Sequence, residues 1–188
     1  MDTVRLLSPQ AEIVWDVVER DGVAFSKRAY VKKKYEECAQ IFLSAYDAYV
    51  REAEKYVPKP EGAEYPYWAF ASARELDASA GGRVMVLEVP LDEVVFFDRF
   101  EWYQVLRLDY LAATPEEDEK FRRNLKMRGV KEVSDVVLTP YYPDLKRQVI
   151  GSWKNLFRFH EAIRSGDTSV VRAVQAGLWR IKKEWLTE

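Results

Sequence analysis

The sequence predicts an α+β fold, with a single globular domain over residues 1–188 and helices packed around a modest, mostly antiparallel sheet. The 188 residues match a domain length of roughly 100 to 200, and no repeat, low-complexity segment or long linker divides them. Residues 83–89 and 94–97 are nearly continuous apolar runs, which is typical of strands inside a sheet. Apolar residues at three- and four-residue spacing elsewhere predict the helices.

The first third of the chain predicts a strand, a helix, a second strand and a long helix. Residues 4–7 form a short apolar strand, and Ser8-Pro9 has the pattern of a helix N-cap followed by proline at the first helical position. Asp21-Gly22 should end this helix before a short strand at residues 23–25. Residues 26–57 carry apolar side chains at helical spacing, so we expect one long helix there.

The middle of the chain predicts a loop, two buried strands and two helices. Residues 76–82 are small and polar, as in a loop, and the two apolar strands follow. A helix should come next, with an apolar face formed by Phe100, Tyr103, Leu106 and Tyr110. Thr114-Pro115-Glu116-Glu117 is a capping box with proline at the first position, and it predicts a charged surface helix whose inward edge is Phe121 and Leu125.

The last part of the chain is less regular. Residues 130–142 fit either a strand or irregular structure. Ser152 is expected to cap a last helix that ends at Ser165-Gly166-Asp167. Residues 174–181 alternate well enough to predict a final strand.

Composition and charge exclude several classes of function. The 29 basic and 31 acidic residues nearly balance, so any nucleic-acid or anionic membrane partner would need a local patch. The lone Cys38 precludes an internal disulfide and a cysteine-rich zinc site, and we predict no metal site. No apolar stretch is long enough for a membrane span and the N-terminus lacks a secretory pattern, so we expect a cytoplasmic protein without a membrane partner.

The single histidine does not indicate catalysis. His160 lies on an apolar helical stripe, where a packing role is expected, and no serine or cysteine nucleophile motif accompanies it. Neither a dinucleotide-binding glycine fingerprint nor a lysine-containing phosphate loop occurs. Classical nucleotide-binding folds are therefore not expected.

Two local features leave alternatives open. Residues 64–70 place four aromatic rings around a proline, and such rings either bury large areas in a core or form a stacking surface for a flat ligand. The predicted long helix begins with a basic cluster that is either a solvated helix face or a contact for phosphate or nucleic acid. This cluster consists of Lys27, Arg28, Lys32, Lys33 and Lys34.

Four segments carry a resemblance that spans nearly the whole chain. They are Tyr65-Pro66-Tyr67-Trp68-Ala69-Phe70, Glu88-Val89-Pro90 followed by Val94-Val95-Phe96-Phe97-Asp98, the pair Trp102 and Trp153, and Val174-Gln175-Ala176 with Trp179. Together they resemble an uncharacterised bacterial family of single-domain proteins described as a domain of unknown function. That resemblance implies no established activity.

The order of elements is also similar to that of small ADP-ribosyltransferases. In that superfamily an early strand carries arginine or histidine, a central strand an aromatic or small hydroxyl residue, and a late strand an acidic residue, all facing one NAD cleft. The resemblance implies Arg5, then Tyr67 or Trp68, then Gln175 at these positions. Gln175 departs from the pattern because it carries no negative charge.

The resemblance implies NAD as co-substrate and a division of roles among these residues. Arg5 would hold the pyrophosphate, and Tyr67 or Trp68 would stack on the nicotinamide. Gln175 would hydrogen-bond the ribose, so that Gln175 and Arg5 are the expected catalytic residues. Oxocarbenium character develops as the nicotinamide–ribose bond breaks, and a negative charge to stabilise it would have to come from Glu88, Asp98 or Glu184.

Two functions follow as expectations. The first is an NAD-dependent ADP-ribosyltransferase-like enzyme that modifies a protein or nucleic-acid acceptor. The second is a non-enzymatic protein-interaction or regulatory module, whose aromatic residues form a core or a partner surface. Transfer of label from NAD separates them.

Overall fold

The computed structural model describes residues 2–76 and 82–187, and a five-stranded antiparallel sheet lies at its centre. The strands in these ranges are β1 (Thr3–Gln10), β2 (Val23–Phe25), β3 (Tyr67–Phe70), β4 (Arg83–Pro90), β5 (Val94–Asp98), β6 (Val174–Leu178) and β7 (Arg180–Lys182). The order across the main sheet is β4-β1-β3-β6-β5, and β2 pairs with β7 in a second sheet. All neighbours are antiparallel, which confirms the predicted α+β class. The predicted loop at residues 76–82 lies largely outside the described residues.

Helices pack on both sides of the main sheet. Those in the described ranges are α1 (Glu12–Asp21), α2 (Arg28–Tyr35), α3 (Ala39–Ala53), α4 (Arg99–Leu106), α5 (Pro115–Met127), α6 (Val133–Leu138), α7 (Pro143–Ser152) and α8 (His160–Arg164). Short 3₁₀ turns occur at Glu36–Cys38, Ala73–Glu75, Leu91–Glu93, Trp153–Phe157 and Lys183–Trp185. In the part of the chain that the structure describes, no helix is both long and apolar enough to cross a membrane.

The capping box before α5 is confirmed. The Glu117 N–H donates to the Thr114 hydroxyl at 3.3 Å, and the Glu117 carboxylate accepts the N–H of Ala113 at 3.0 Å. α5 buries Phe121 and Leu125 and exposes most of its charged residues, as the sequence predicts. The helix therefore lies on the surface with one narrow apolar edge.

The first strand is longer than predicted, because Ser8-Pro9 belongs to β1 and not to a helix start. Both residues pair with β4. The buried Ser8 hydroxyl donates to the carbonyl of Trp68 at 2.7 Å, so it serves a cross-strand contact in place of a helix cap. α1 begins at Glu12 and ends, as predicted, at Gly22, whose φ of 77° is left-handed.

The predicted long helix over residues 26–57 is interrupted. α2 ends at Tyr35, and α3 begins only at Ala39. The break lies at Glu36, whose φ of 44° is outside the helical region. The Tyr35 ring then stacks on Phe42 of α3, with 3.6 Å between ring centroids.

Three predictions for the C-terminal part need correction. The segment left open at residues 130–142 contains helix α6. Ser152 ends α7 and precedes the 3₁₀ turn at Trp153–Phe157, but its hydroxyl does not cap that turn, because it accepts the N–H of Leu111 at 2.9 Å and donates to the Val149 carbonyl at 2.6 Å. Residues 174–181 form two strands in two sheets, and Trp179 between them is buried and donates its indole N–H to the Val57 carbonyl at 2.8 Å.

The main sheet has two faces with separate apolar cores, because side chains alternate along each strand. The front face is the one that packs against α3, α4 and the 3₁₀ turn at Trp153–Phe157. The back face packs against α1, α8 and the β2–β7 sheet. Its core includes Leu6, Leu87 and Phe96.

Candidate functional site

Arg5, Trp68 and Gln175 all lie on the front face of the main sheet. Leu7 of β1 pairs with Phe70 of β3, and Phe70 pairs with Gln175 of β6. Arg5 and Trp68 are each two residues from this row, so their side chains point to the same side of the sheet. Because β1 and β3 are antiparallel, the two residues lie on opposite sides of the row, with their Cα atoms on the order of 14 Å apart. The spacing of strands and residues puts the Cα atoms of Arg5 and Gln175 on the order of 12 Å apart.

The front face is covered at one end and open at the other. The covered half, over β3, β6 and β5, buries Phe97 beneath α3 and α4. The open half, over β4 and β1, leaves Val84 41% exposed and Leu7 half-buried. The boundary runs along β3, where Trp68 and Phe70 are both half-buried.

Gln175 brings a buried amide to this boundary. Its side chain is only 4% exposed, and its register neighbours on the same face are Phe70 and Phe97. The amide oxygen Oε1 has no hydrogen-bond partner among the described residues. Buried amides are normally paired. This oxygen is also closed off from solvent, so a ligand can reach it only after Gln175 or its neighbours move.

The aromatic block at residues 64–70 is mostly core. The Trp68 indole N–H donates to the Tyr46 hydroxyl at 2.8 Å, and its ring meets Tyr46 and Tyr49 edge-on with centroid distances of 5.4 and 5.0 Å. Burial raises the pKa of Tyr46, so its hydroxyl stays neutral. Tyr67 lies on the back face and is buried there, so it does not join Arg5 and Gln175.

Arg99 is a site residue that sequence reasoning missed. It begins α4 and lies over the ring of Phe70, with 5.3 Å between the guanidinium carbon and the ring centroid. Its Nε donates to the Tyr103 hydroxyl at 2.6 Å, and Nη1 donates to the Glu75 carboxylate at 2.8 Å. The sequence does contain a signal for Arg99. It directly follows Asp98, and Asp98 ends a buried strand and caps the next helix.

Of the three carboxylates considered as the source of negative charge, Glu88 alone lies on the front face. It is the register partner of Arg5, and its carboxylate accepts a hydrogen bond from Thr3 at 3.2 Å. Asp98 is buried, and each of its oxygens accepts a backbone N–H, so its role is structural. Glu184 lies in the C-terminal 3₁₀ turn beside β7.

His160 has the packing role that the sequence predicts. It is buried, and its Nδ1 accepts the N–H of Phe96 at 3.0 Å on the outer side of β5. Burial lowers the pKa of its imidazole, which keeps the ring neutral and Nδ1 free to accept. In residues 2–76 and 82–187 no group of three His, Cys, Asp or Glu side chains could hold a metal ion.

Two clefts away from the front face contain charged residues that already pair with each other. One of about 290 Å³ lies between α2, α3 and residues 59–65, where Arg28 forms an ion pair with Asp47. The other, of about 710 Å³, lies on the outer side of the β2–β7 sheet, where Arg180 pairs with Glu93. These pairs leave the Gln175 amide as the stronger indication of a ligand site.

The basic cluster around the start of α2 divides into two parts. Lys27 lies 3.6 Å from the Glu64 carboxylate, and Arg28 pairs with Asp47. Lys32, Lys33 and Lys34 are exposed at the other end of α2. A solvated helix face and a phosphate contact are both consistent with this placement.

Fold and site together define a class: an α+β domain whose antiparallel sheet leaves half of one face open, with a buried amide at the boundary. The chain belongs to the family described as Domain of unknown function (DUF3841), whose model matches residues 5–187. The resemblance to an uncharacterised family is thus confirmed, and the family description states no activity. A search of curated proteins and a search of solved structures each gave no match.

Proposed function

We propose that this chain is an NAD-dependent ADP-ribosyltransferase-like enzyme that modifies a protein or nucleic-acid acceptor and binds NAD at the boundary of the front face. The observation that supports it is the buried Oε1 of Gln175, which has no hydrogen-bond partner in residues 2–76 and 82–187 and lies on the same face as Arg5 and Trp68. An N–H or O–H group of a ligand can satisfy this oxygen, and NAD offers both in its carboxamide and ribose hydroxyls.

The neighbouring residues supply the other contacts that NAD requires. Arg5 is exposed on the open half, and its guanidinium can pair with the pyrophosphate in a bidentate way. The half-buried rings of Phe70 and Trp68 offer an apolar side to the nicotinamide. Arg99 lies above Phe70 beside the same place, but its charge is already paired with the Glu75 carboxylate at 2.8 Å, so Arg5 is the cation that we assign to the pyrophosphate.

The reaction breaks the bond between the ribose C1′ and the nicotinamide nitrogen, and nicotinamide leaves with the electron pair. An oxygen or nitrogen of the acceptor forms the new bond to C1′ and loses its proton. Positive charge develops on the ribose, and a nearby carboxylate stabilises it. Glu88 lies three strands from Gln175, on the order of 16 Å between Cα atoms, which is too far for both side chains to contact one ribose. We therefore assign no carboxylate of this chain to that role, and neutral Gln175 positions the ribose through its amide.

Calorimetric titration with NAD, followed by incubation with labelled NAD and cell extract, tests this function. We expect saturable binding and transfer of label to an acceptor. Gln175→Leu keeps the side chain's size and removes the amide, so NAD affinity should fall by tenfold or more, as expected for loss of about 1.4 kcal/mol. Its folding stability should hold or rise, because a buried unsatisfied oxygen is removed.

Arg5→Ala should also lose NAD affinity, and Arg20→Ala provides the matched control. Arg20 is an exposed arginine on α1, which packs against the back face, so its removal changes the net charge equally. Equal NAD binding by these two variants contradicts the assignment of Arg5. If the unaltered protein neither binds NAD nor transfers label, the non-enzymatic interaction module is the better description.

A further inference from the structure

Helices α2 and α3 form an antiparallel hairpin with a strained residue at its bend. The start of α2 contacts the middle of α3 through the Arg28–Asp47 ion pair at 2.5 Å, and its end contacts the start of α3 through the Tyr35–Phe42 stack. Glu36 makes the bend with φ of 44° and ψ of −115°, a conformation that residues other than glycine rarely adopt. Such a backbone persists only where the surrounding contacts hold it.

The sequence around the bend favours one continuous helix. Residues 28–53 contain neither glycine nor proline, and their apolar side chains recur at helical spacing. Lys32, Lys33, Glu36 and Glu37 are exposed, and in the part of the chain that the structure describes none of them takes part in an ion pair. A continuous helix would place Lys32 beside Glu36 and Lys33 beside Glu37, at a spacing that allows ion pairs. The straight form would therefore lose the strain and gain these contacts.

The N-terminal segment, residues 2–35, is held by partners that all follow the bend in the sequence. β1 pairs with β4 along its whole length and with β3, and β2 pairs with β7. The N–H of Arg28 donates to the Glu64 carboxylate at 2.8 Å. None of these contacts requires both partners to belong to one chain, so the N-terminal segment of a second copy could form them all.

We propose that two copies of this chain form a dimer by exchanging their N-terminal segments. A single chain cannot straighten the bend and keep these contacts, because β2 ends at Phe25, just before α2 begins at Arg28, and holds the start of α2 beside β7. Two chains can, because each N-terminal segment then occupies the same place on the other copy. α2 of each copy packs on α3 of the other, and the two straight helices lie antiparallel about a two-fold axis. A short strained connection of this kind favours exchange.

The exchange would build each candidate site from both copies. Arg5 lies in the N-terminal segment, whereas Trp68 and Gln175 follow the bend. In the dimer, Arg5 of one copy therefore lies on the front face of the other. That the shared place binds NAD rests on the proposed function, whereas the exchange itself does not require NAD.

Disulfide trapping tests the exchange without NAD. Arg5 and Glu88 are register partners, and such residues lie about 4.5–5.5 Å apart between Cα atoms, within the range of a disulfide. The variant carries Arg5→Cys and Glu88→Cys, with Cys38→Ser to remove the natural thiol. It is refolded in reductant at high protein concentration, separated by size-exclusion chromatography, and then oxidised. The monomer fraction should form its disulfide within one chain, and the dimer fraction should become a covalent dimer on a non-reducing gel. Absence of a dimer at every concentration, or a dimer whose chains separate on that gel, overturns the proposal.

Glu36→Gly tests the role of the bend. Glycine adopts a positive φ without strain, so this variant should favour the monomer. We expect the dissociation constant of the dimer, measured after equilibration in mild urea, to rise by about thirtyfold or more, as for relief of about 1 kcal/mol of strain at each of two bends. Glu37→Gly is the matched control, because it removes the same charge at a position whose φ is not positive and whose backbone is helical in both forms. Equal dissociation constants for the two variants would contradict the proposed hinge.

Refolding Arg5→Ala together with Gln175→Leu tests the shared site. A mixed exchanged dimer has one site with both changes and one with neither, so NAD binding, weak in each variant alone, should return in one site per mixed dimer. Mixing the two variants after separate refolding is the control and should restore no binding. Interchain disulfides without NAD binding by the unaltered protein overturn the proposed function alone. NAD binding with intrachain disulfides in every fraction overturns this inference alone.

Discussion

One row of paired residues crosses both halves of the front face, and its side chains are buried to very different degrees in the two halves. The row crosses all five strands through Val86, Leu7, Phe70, Gln175 and Phe97. At one end Phe97 is fully buried, and at the other Val86 and Leu7 are half-buried. Gln175, whose amide oxygen has no partner in the described part of the chain, lies where this change occurs, between Phe97 and Phe70.

The difference arises from where the helices lie. In the covered half, Tyr49 of α3 contacts Phe97 and Phe157 edge-on, with centroid distances of 5.5 and 5.1 Å. Such pairs add to the large apolar area that aromatic side chains bury. The open half has no comparable ring cluster on its front side in the described residues. Conformational stability should therefore come mainly from the covered half, while the open half is left for a ligand.

Alanine substitution at the two ends of the row should separate these roles. Phe97→Ala should reduce the free energy of unfolding by about 3–5 kcal/mol, because it leaves a cavity beneath α3. Val86→Ala should reduce it by about 1 kcal/mol or less, because that side chain is already half-exposed. Urea denaturation measures both. Similar losses at both ends would mean that the open half is covered in solution and would contradict the comparison.

Gly177 tests how tightly the covered half is packed. A methyl group at this position would overlap the Tyr49 hydroxyl and lie 2.9 Å from its Cζ, so Gly177→Ala should destabilise the fold by about 1–3 kcal/mol. Tyr49→Phe removes a buried hydroxyl that has no partner in the described residues, and alone it should be neutral or stabilising. Combined with Gly177→Ala, it should recover part of the loss.

Gly151→Ala in α7 is the control for that experiment. A methyl group there meets no atom within 4 Å, so the substitution should stabilise the helix by up to about 1 kcal/mol. A double-mutant cycle on urea denaturation gives the coupling between positions 49 and 177. Strictly additive effects would show that the hydroxyl and the new methyl do not meet.

Strands and helices with a clear local sequence pattern, such as a continuous apolar run, could be predicted. Elements whose conformation depends on pairing with residues far away in the sequence could not. The apolar runs at residues 83–89 and 94–97 became β4 and β5. β5 is buried on both faces, as a continuous apolar run predicts, whereas β4 is buried on its back face only. Ser8-Pro9 matches a helix start locally, yet pairing with β4 keeps it in a strand. Residues 174–181 alternate throughout, and alternation alone does not reveal that the two ends join different sheets.

In the candidate site too, some placements could be predicted from the local sequence and others could not. Alternation along a strand predicts that Gln175 faces away from Val174 and Ala176, and the latter two do lie in the back-face core. The choice between Tyr67 and Trp68 depends on which face of β3 also carries Arg5 and Gln175, and the strand pairing decides this, not the local sequence. Arg99 was missed because its place above Phe70 depends on the direction of α4.

The outer edges of the sheet extend the comparison between the halves. The edge of the open half, at β4, is closed by a backbone bond from the Thr187 N–H to the Val86 carbonyl at 2.9 Å. The edge of the covered half, at β5, is closed by the His160 imidazole, which accepts the Phe96 N–H. The first bond does not titrate. The second is lost when Nδ1 is protonated, so the covered half should weaken in mild acid.

Burial lowers the pKa of His160 below its ordinary value of 6.5; the Glu161 carboxylate, 3.7 Å from Nε2, opposes this shift, and Arg164 reinforces it. Because the folded pKa is below the unfolded one, the unfolded chain binds the proton more readily. The stabilisation is thus fully present above about pH 6.5 and is lost as pH falls through the folded pKa, at no more than about 1.4 kcal/mol per pH unit.

Urea denaturation between about pH 5.5 and 7 measures this loss, which we expect to be the smallest of the three effects. His160 is the only histidine in the sequence, so a stability that rises with pH in this window is assigned to it. Burial raises the pKa of Glu101, and its titration would give a slope of the opposite sign. His160→Gln is the control, because its amide oxygen can accept the Phe96 N–H without titrating. It should be less dependent on pH than the unaltered protein. If the free energy of unfolding of His160→Gln depends on pH as strongly as that of the unaltered protein, other titratable groups cause the loss of stability in acid. The hydrogen bond at the β5 edge would then not be the cause.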